Sequence, residues 1–294
     1  MANWKGFVNI IKPTGMTSSD VVCKVKKILH TKKVGHLGTL DPAASGVLPV
    51  AVGKATKFFD YFLTKDKCYT AVVKFGIETD TLDSFGNITN IDKNVEVSEQ
   101  MILDVIDEFI GEIYQYPPKY SALKINGKKA YELARDNVDF ELKPRKITIY
   151  NIKLRKMCQK NTFLFDVHCS AGTYIRSLFL DIANKIKTIA FVPVIIRTKS
   201  GAFDLSNAVT LKEFENNSNL IKIEEVFKDF KTIEIDDIMA KKILNGVSVS
   251  ASDIGVFENK PFLIKYKEEI VGLYKIENNK TNAIAFVFDG EEIW

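Results

Sequence analysis

The chain has 294 residues, 46% hydrophobic and 27% charged, with a formal net charge of +4 at pH 7. That balance excludes a disordered or low-complexity chain, and no run reaches the roughly eighteen apolar residues of a membrane-spanning helix. The four cysteines (Cys23, Cys68, Cys158, Cys169) have neither C-x-x-C pairing nor zinc-like spacing, which argues for buried free thiols over a disulfide or metal scaffold.

The start, M-A-N-W-K-G-F-V-N-I-I-K-P, carries no apolar signal core, so a soluble cytoplasmic protein is expected. The charge is unevenly spread. Residues 1–60 hold nine Lys against three Asp, and residues 118–160 hold twelve Lys/Arg against four acids. Residues 78–112 reverse the sign, with ten acids against one Lys. Two separated basic regions are the footprint of a polyanion partner, or equally a lysine-rich solvated surface.

In chain order, T-S-S-D-V-V-C-K-V-K-K-I-L opens a helix capped by Thr17 or Ser18, with Asp20 in its first turn. Val21, Val22, Val25, Ile28 and Leu29 form its apolar stripe, leaving Lys24, Lys26, Lys27, Lys32 and Lys33 off it. C-Y-T-A-V-V-K-F-G (68–76) predicts a strand with Tyr69, Ala71, Val73 and Phe75 on one face. A helix follows Ser98, striped by Ile102, Val105, Ile106, Phe109 and Ile110, with Gly111 as its stop. Prolines, aromatics and lysines mix in Y-Q-Y-P-P-K-Y-S-A-L-K-I-N-G-K-K-A-Y-E-L-A-R (114–135), the composition of a functional excursion ending in a short helix.

T-F-L-F-D-V-H-C-S (162–170) predicts a strand, and A-G-T-Y-I-R-S-L-F-L-D-I-A a tight turn into a helix. His168 and Cys169 are adjacent on that strand and so point to opposite faces, which argues against a metal pair. The acidic, Asn-containing stretch 213–230 predicts a surface helix and a junction. From about Ile233 a short helix (Asp236 to Leu244) and strands such as P-F-L-I-K-Y and A-I-A-F-V-F predict a small β-rich C-terminal module.

Several chemistries fail on residue identity. G-V-L-P-V-A-V-G-K-A-T departs from a phosphate-binding P-loop at Leu48 and Ala55. Three scattered histidines give a Ser-His-Asp triad no frame. What remains is G-H-L-G-T-L-D-P-A-A-S-G-V-L (35–48), with a single carboxylate, Asp41. An Asp before Pro is a common turn opener. Here Pro42 also keeps Asp41 out of the helical region, and Gly35, Gly38 and Gly46 permit close approach on both sides. Arg176 is the second unusual residue. It lies in the first turn of its helix, where the macrodipole disfavours a cation and an anionic partner is expected. A local Asp at the surface would serve, as would a buried pair with Asp41.

Taken together, K-P-x-G-x-T-S (Lys12 to Ser18), G-H-x-G-T-L-D-P-x-A-S-G-V-L (35–48), Y-T-A (69–71), E-T-D-T-x-D (78–83), P-P-x-Y-S-A-L-K (117–124) and C-S-A-G-T-Y-I-R-S-L (169–178) resemble the TruB family of tRNA pseudouridine-55 synthases. The matches run in the family's order across most of residues 10–205. The resemblance implies an α+β pseudouridine-synthase fold, a mixed, mostly antiparallel sheet flanked by helices, in residues 1–230. It implies an RNA-clasping insertion at 114–146 and a PUA-like RNA-binding module at 231–294. It also implies isomerisation of a T-loop uridine of tRNA without cofactor or metal, by a chain that needs no protein partner and nothing beyond a monomer.

By that resemblance Asp41 is the catalytic carboxylate, Arg176 its partner, and Tyr69 the ring that stacks on the uracil and assists removal of the C5 proton. Tyr174 and Ile195 would line the pocket, His36 would brace the space left by the flipped uridine, and Lys12 would sit near the cleft floor. Lys124, Lys128 and Lys129 would grip RNA. Attack at C1′, addition to the uracil ring and removal of the 2′ proton are all open first steps.

One stretch departs from the family. Where a Gly-containing approach to a Leu-Arg-Arg-type strand is usual, this chain has K-T-I-A-F-V-P-V-I-I-R-T (187–198). Ile195 then replaces a leucine, and only Arg197 of the arginine pair remains. Two other readings use the same surfaces: a non-catalytic chaperone that refolds tRNA, and a guide-RNA-dependent subunit, against which the complete insertion argues.

Overall fold

The computed structural model describes residues 4–125, 127–136, 138–256, 258 and 260–288. Asn126 and Asn137 of the expected insertion, and residues 257, 259 and 289–294 of the expected C-terminal module, lie outside the described residues. Among those described, a nine-stranded mixed sheet forms the body. Its main path runs Gly6–Lys12, Ser45–Val52, Ala190–Ser200, Lys67–Phe75, Thr162–Cys169, Arg145–Gln159 and Gly111–Gln115. Only the pairing of Ala190–Ser200 with Ser45–Val52 is parallel along this path; the others are antiparallel.

Local chemistry explains the flanking helices. Thr17 caps Ser18–Ile28 by accepting from the Asp20 amide, while the Asp20 carboxylate accepts from the Thr17 amide at 2.8 Å. The stripe Val21, Val22, Val25 and Leu29 is buried against the sheet, as its spacing predicts. Ile175–Lys185 buries Leu178, Phe179, Ile182 and Ala183, with the Phe179 ring 4.7 Å from Phe165 on the neighbouring strand. No helix among the described residues is long and apolar enough to cross a membrane.

Strands Gly6–Lys12 and Ser45–Val52 are buried on both faces. Val8, Ile10, Leu48 and Val50 enter the main core, while Phe7, Val47 and Ala51 enter a second one. That second core is aromatic, with Phe58, Phe62, Phe203 and Phe227 around Phe7. It also takes in Leu263, Ile270 and Leu273 of a separate four-stranded C-terminal sheet. That sheet (Thr232–Ile235, Phe262–Tyr266, Glu269–Glu277, Lys280–Phe286) packs its other face on the helix Asp237–Leu244, as a PUA-like module would.

Four expectations need correcting. Gly111 does not stop a helix. The α-helix ends at Ile106, a short 3-10 turn follows, Ile110 is exposed, and Gly111 begins an edge strand. The stretch 213–230 is more than a surface, because Phe214, Ile223 and Phe227 are core residues; the acidic residues between them masked this. The excursion is shorter than 114–146, since Tyr114 and Gln115 pair with Lys146 and Arg145 in the sheet. Of the cysteines only Cys169 is buried, while Cys23 and Cys158 are exposed.

Candidate active site

The loop carrying Asp41 leaves the short strand Val34–His36 and enters Ser45–Val52. It is tied down on all sides. Ser18, displaced from the capping role by Thr17, donates its hydroxyl to the Leu40 carbonyl (3.0 Å) and accepts from the Leu40 amide (2.9 Å). The Gly15 amide donates to the Pro42 carbonyl at 2.9 Å. Lys12 is fully buried, donating to the carbonyls of Pro13, Met16 and, at 3.4 Å, Pro42. Burial pulls its pKa down to about 8, with the Asp41 charge opposing. Lys12 therefore buttresses the loop from beneath.

Arg176 reaches Asp41 from the helix start. Its Nη2 lies 2.6 Å from Asp41 Oδ2 and 3.0 Å from the Tyr120 carbonyl, and its Nη1 donates to the Thr81 carbonyl at 2.7 Å. The Arg176 side chain is 3% exposed and that of Asp41 35%, so the cation is buried while the carboxylate remains partly open to solvent. Asp83 is a second carboxylate on the same guanidinium, 3.5 Å from Nη1 and itself buried. It also accepts from the Thr81 hydroxyl (2.6 Å) and the Phe85 amide. Leu82 between them takes φ +60°, a strained left-handed conformation that turns both Thr81 and Asp83 toward Arg176. Sequence reasoning quoted E-T-D-T-x-D but gave Asp83 no role; its signal was a carboxylate inside a motif with no assigned chemistry.

Tyr69 stands opposite Arg197 in the antiparallel register and packs on the main core. Burial pushes its phenol up to about 12, against the Arg197 charge. Ile195, two residues earlier on the Arg197 strand, is 6% exposed and belongs to that same core. Tyr174 caps the Arg176 helix; the buried Gln115 clamps its backbone, accepting from its amide at 2.8 Å and donating to its carbonyl at 3.1 Å. Its phenol is raised by burial and then by Asp41. His36 is half-buried, and its Nδ1 has no hydrogen-bond partner among the described residues. Burial, then Arg197, holds its pKa down, so the ring is neutral.

Arg197 is the one arginine of the usual pair that the departing strand keeps. It is 1% exposed and donates to Val47, Thr39 and Gly38 carbonyls at 2.8, 3.0 and 3.2 Å, on both sides of Asp41. Gly46 makes this approach possible: at φ +105° a side chain there would place Cβ 2.3 Å from the Arg197 carbonyl oxygen.

The lysines Lys124, Lys128 and Lys129 are not at the carboxylate. They are exposed on a small hairpin, Lys124–Ile125 with Lys128–Lys129. The base of that excursion touches the site through the Tyr120 carbonyl on Arg176. His168 meets Asp66 at 2.5 Å, away from buried Cys169, and no group of His, Cys, Asp or Glu among the described residues could hold a metal ion.

A family model described as TruB family pseudouridylate synthase (N terminal domain) matches residues 26–175. The chain is thus a pseudouridylate synthase by class, with a partly exposed carboxylate on a buried arginine. Among curated relatives, tRNA pseudouridine synthase B of Caldanaerobacter subterraneus is 43% identical over 82% of this chain and 85% of its own length. The protein of the same name from Clostridium kluyveri is 42% identical over 94% and 93%. A chain solved in a Cbf5-Nop10-Gar1 complex superposes with TM-score 0.71 at 28% identity, covering 97% of this chain and 84% of that one. The chain belongs to the TruB family.

Proposed function

We propose that this protein isomerises the uridine at position 55, in the T-loop of tRNA, to pseudouridine, with Asp41 acting on a nucleotide flipped out of the RNA. The carrying observation is the half-exposed Asp41 carboxylate held at 2.6 Å by an almost wholly buried Arg176. The relatives named tRNA pseudouridine synthase B support the substrate. The reaction breaks the N1–C1′ bond, turns the uracil, forms C5–C1′ and moves the C5 proton away while N1 gains one. A glycosidase needs a second carboxylate to protonate a departing group; here the base stays in the pocket, so one suffices.

Arg176 keeps the carboxylate aimed and charged. Tyr69, backed by the core, offers its face to the uracil and its hydroxyl to the C5 proton. Tyr174 and Ile195 close the pocket sides, and neutral His36 fills the space the uridine leaves. Lys12 supports the floor. Lys124, Lys128 and Lys129 hold phosphates on the excursion, residues 1–230 carry the chemistry, and residues 231–294 add a PUA-like RNA contact. The protein works in the cytoplasm as a monomer on bare tRNA. A refolding chaperone would make no use of the Arg176–Asp41 pair.

The test is tritium release from tRNA carrying 5-tritiated uridine, with pseudouridine mapped site by site. Wild type should modify position 55 alone in the T-loop, and Asp41→Asn should fall by at least about 10³-fold. Unchanged release from that variant would sink the assignment.

A further inference from the structure

Two buried arginines flank Asp41, and they are held differently. Arg176 has two carboxylates, Asp41 and Asp83, within 4 Å. Arg197 has no carboxylate partner among the described residues, only three backbone carbonyls. A buried guanidinium without a counter-ion is costly, so its retention asks for a reason beyond packing. Its three bonds fall on Gly38, Thr39 and Val47, spanning the loop that presents Asp41. They use three of the five N–H donors of a guanidinium. The strand register sets Tyr69 directly opposite, within reach of the guanidinium's charge.

We propose, on the reading that Asp41 and Tyr69 face the substrate, that Arg197 is a positioning residue: one rigid fork, on the strand that pairs with Tyr69, that fixes the Asp41 loop from both sides. The planar geometry matters as much as the charge. An ammonium on a flexible stem has no fork to hold carbonyls on two sides of a loop at once. Because Arg197 is buried, it acts on the chemical step and leaves RNA affinity alone. Misplacing reacting groups by an ångström costs about 10²-fold in rate, which sets the expected effect.

The experiment uses single-turnover tritium release and tRNA affinity for wild type, D41N, R197K and R197A. R197K should release tritium about 100-fold more slowly, with affinity within about threefold of wild type, a loss in the chemical step alone. Millimolar guanidinium should recover at least about tenfold of the R197A rate, while urea, which lacks the charge, should not. Wild-type release in R197K overturns the proposal, as does parallel loss of rate and affinity, failure of R197K to fold, or R197A that guanidinium leaves unchanged. Activity in D41N is a separate result, and it overturns the reading of Asp41 instead.

Discussion

The Asp41 loop and the lysine hairpin at 124–129, which the proposed function assigns to chemistry and to RNA contact, are built in opposite ways. The loop is short and gripped by Ser18, Gly15, Lys12, Arg176 and Arg197, several of them buried. The hairpin is exposed, pairs two residues with two, and is closed at its base by backbone bonds within the excursion, Ala130 to Leu123 and Tyr131 to Ser121. A reacting carboxylate must be held to within a fraction of an ångström. Phosphate contacts work through long, screened charges on flexible stems and tolerate motion. The difference in construction follows the difference in task.

Breaking the rigid side should cost most. Arg176→Met strands two carboxylates, Asp41 and Asp83, and should lower stability by about 3 kcal/mol in urea unfolding; tritium release should fall at least about 10²-fold with it. Ser18→Ala removes both bonds to the Leu40 backbone, for a loss of about 1–3 kcal/mol and a slower single-turnover rate at unchanged tRNA affinity. Breaking the exposed side should look different. Lys128→Ala with Lys129→Ala should weaken tRNA binding and flatten the slope of log K against log salt by about one per lysine, while the rate at saturating tRNA stays put. If that pair instead slows the saturated rate, the contrast between the two regions fails.

The last test is a pH dependence at the loop's foundation. Burial lowers the Lys12 pKa to about 8 in the folded protein, from 10.5 for an ordinary lysine. Between those values the unfolded chain binds more protons, so this group's contribution to stability rises with pH through the window and is lost as pH falls back through 8. Urea unfolding at pH 7.5 and pH 10 should show wild type gaining on Lys12→Met. Lys67, also lowered to about 8 by burial, adds the same trend to both proteins and cancels in the difference.

Much of the architecture was legible because local rules decided it. The capping box at Thr17, the alternation Tyr69-Ala71-Val73-Phe75 and the Asp-capped helix at 237–244 each need only neighbours in sequence. The misreadings came where burial depends on distant partners. Gly111 obeyed a helix-stop rule but was claimed by strand pairing with Ile149. Phe227 sat in an acidic stretch yet belongs to an aromatic core fed by Phe7, Phe58 and Phe62.

The sequence by itself determined which residue types were available for chemistry: one carboxylate in a glycine-bracketed loop, a cation in a helix's first turn, a tyrosine on a buried strand face. It determined them because residue identity and short-range spacing carry that information. Only the tertiary structure decided that Arg176 answers to Asp83 as well as Asp41, and that Arg197, on a strand whose sequence looked divergent, holds the loop on both sides of Asp41. Those relations join residues more than ninety positions apart through a sheet whose register is set by all of its strands together, and no window of sequence contains them.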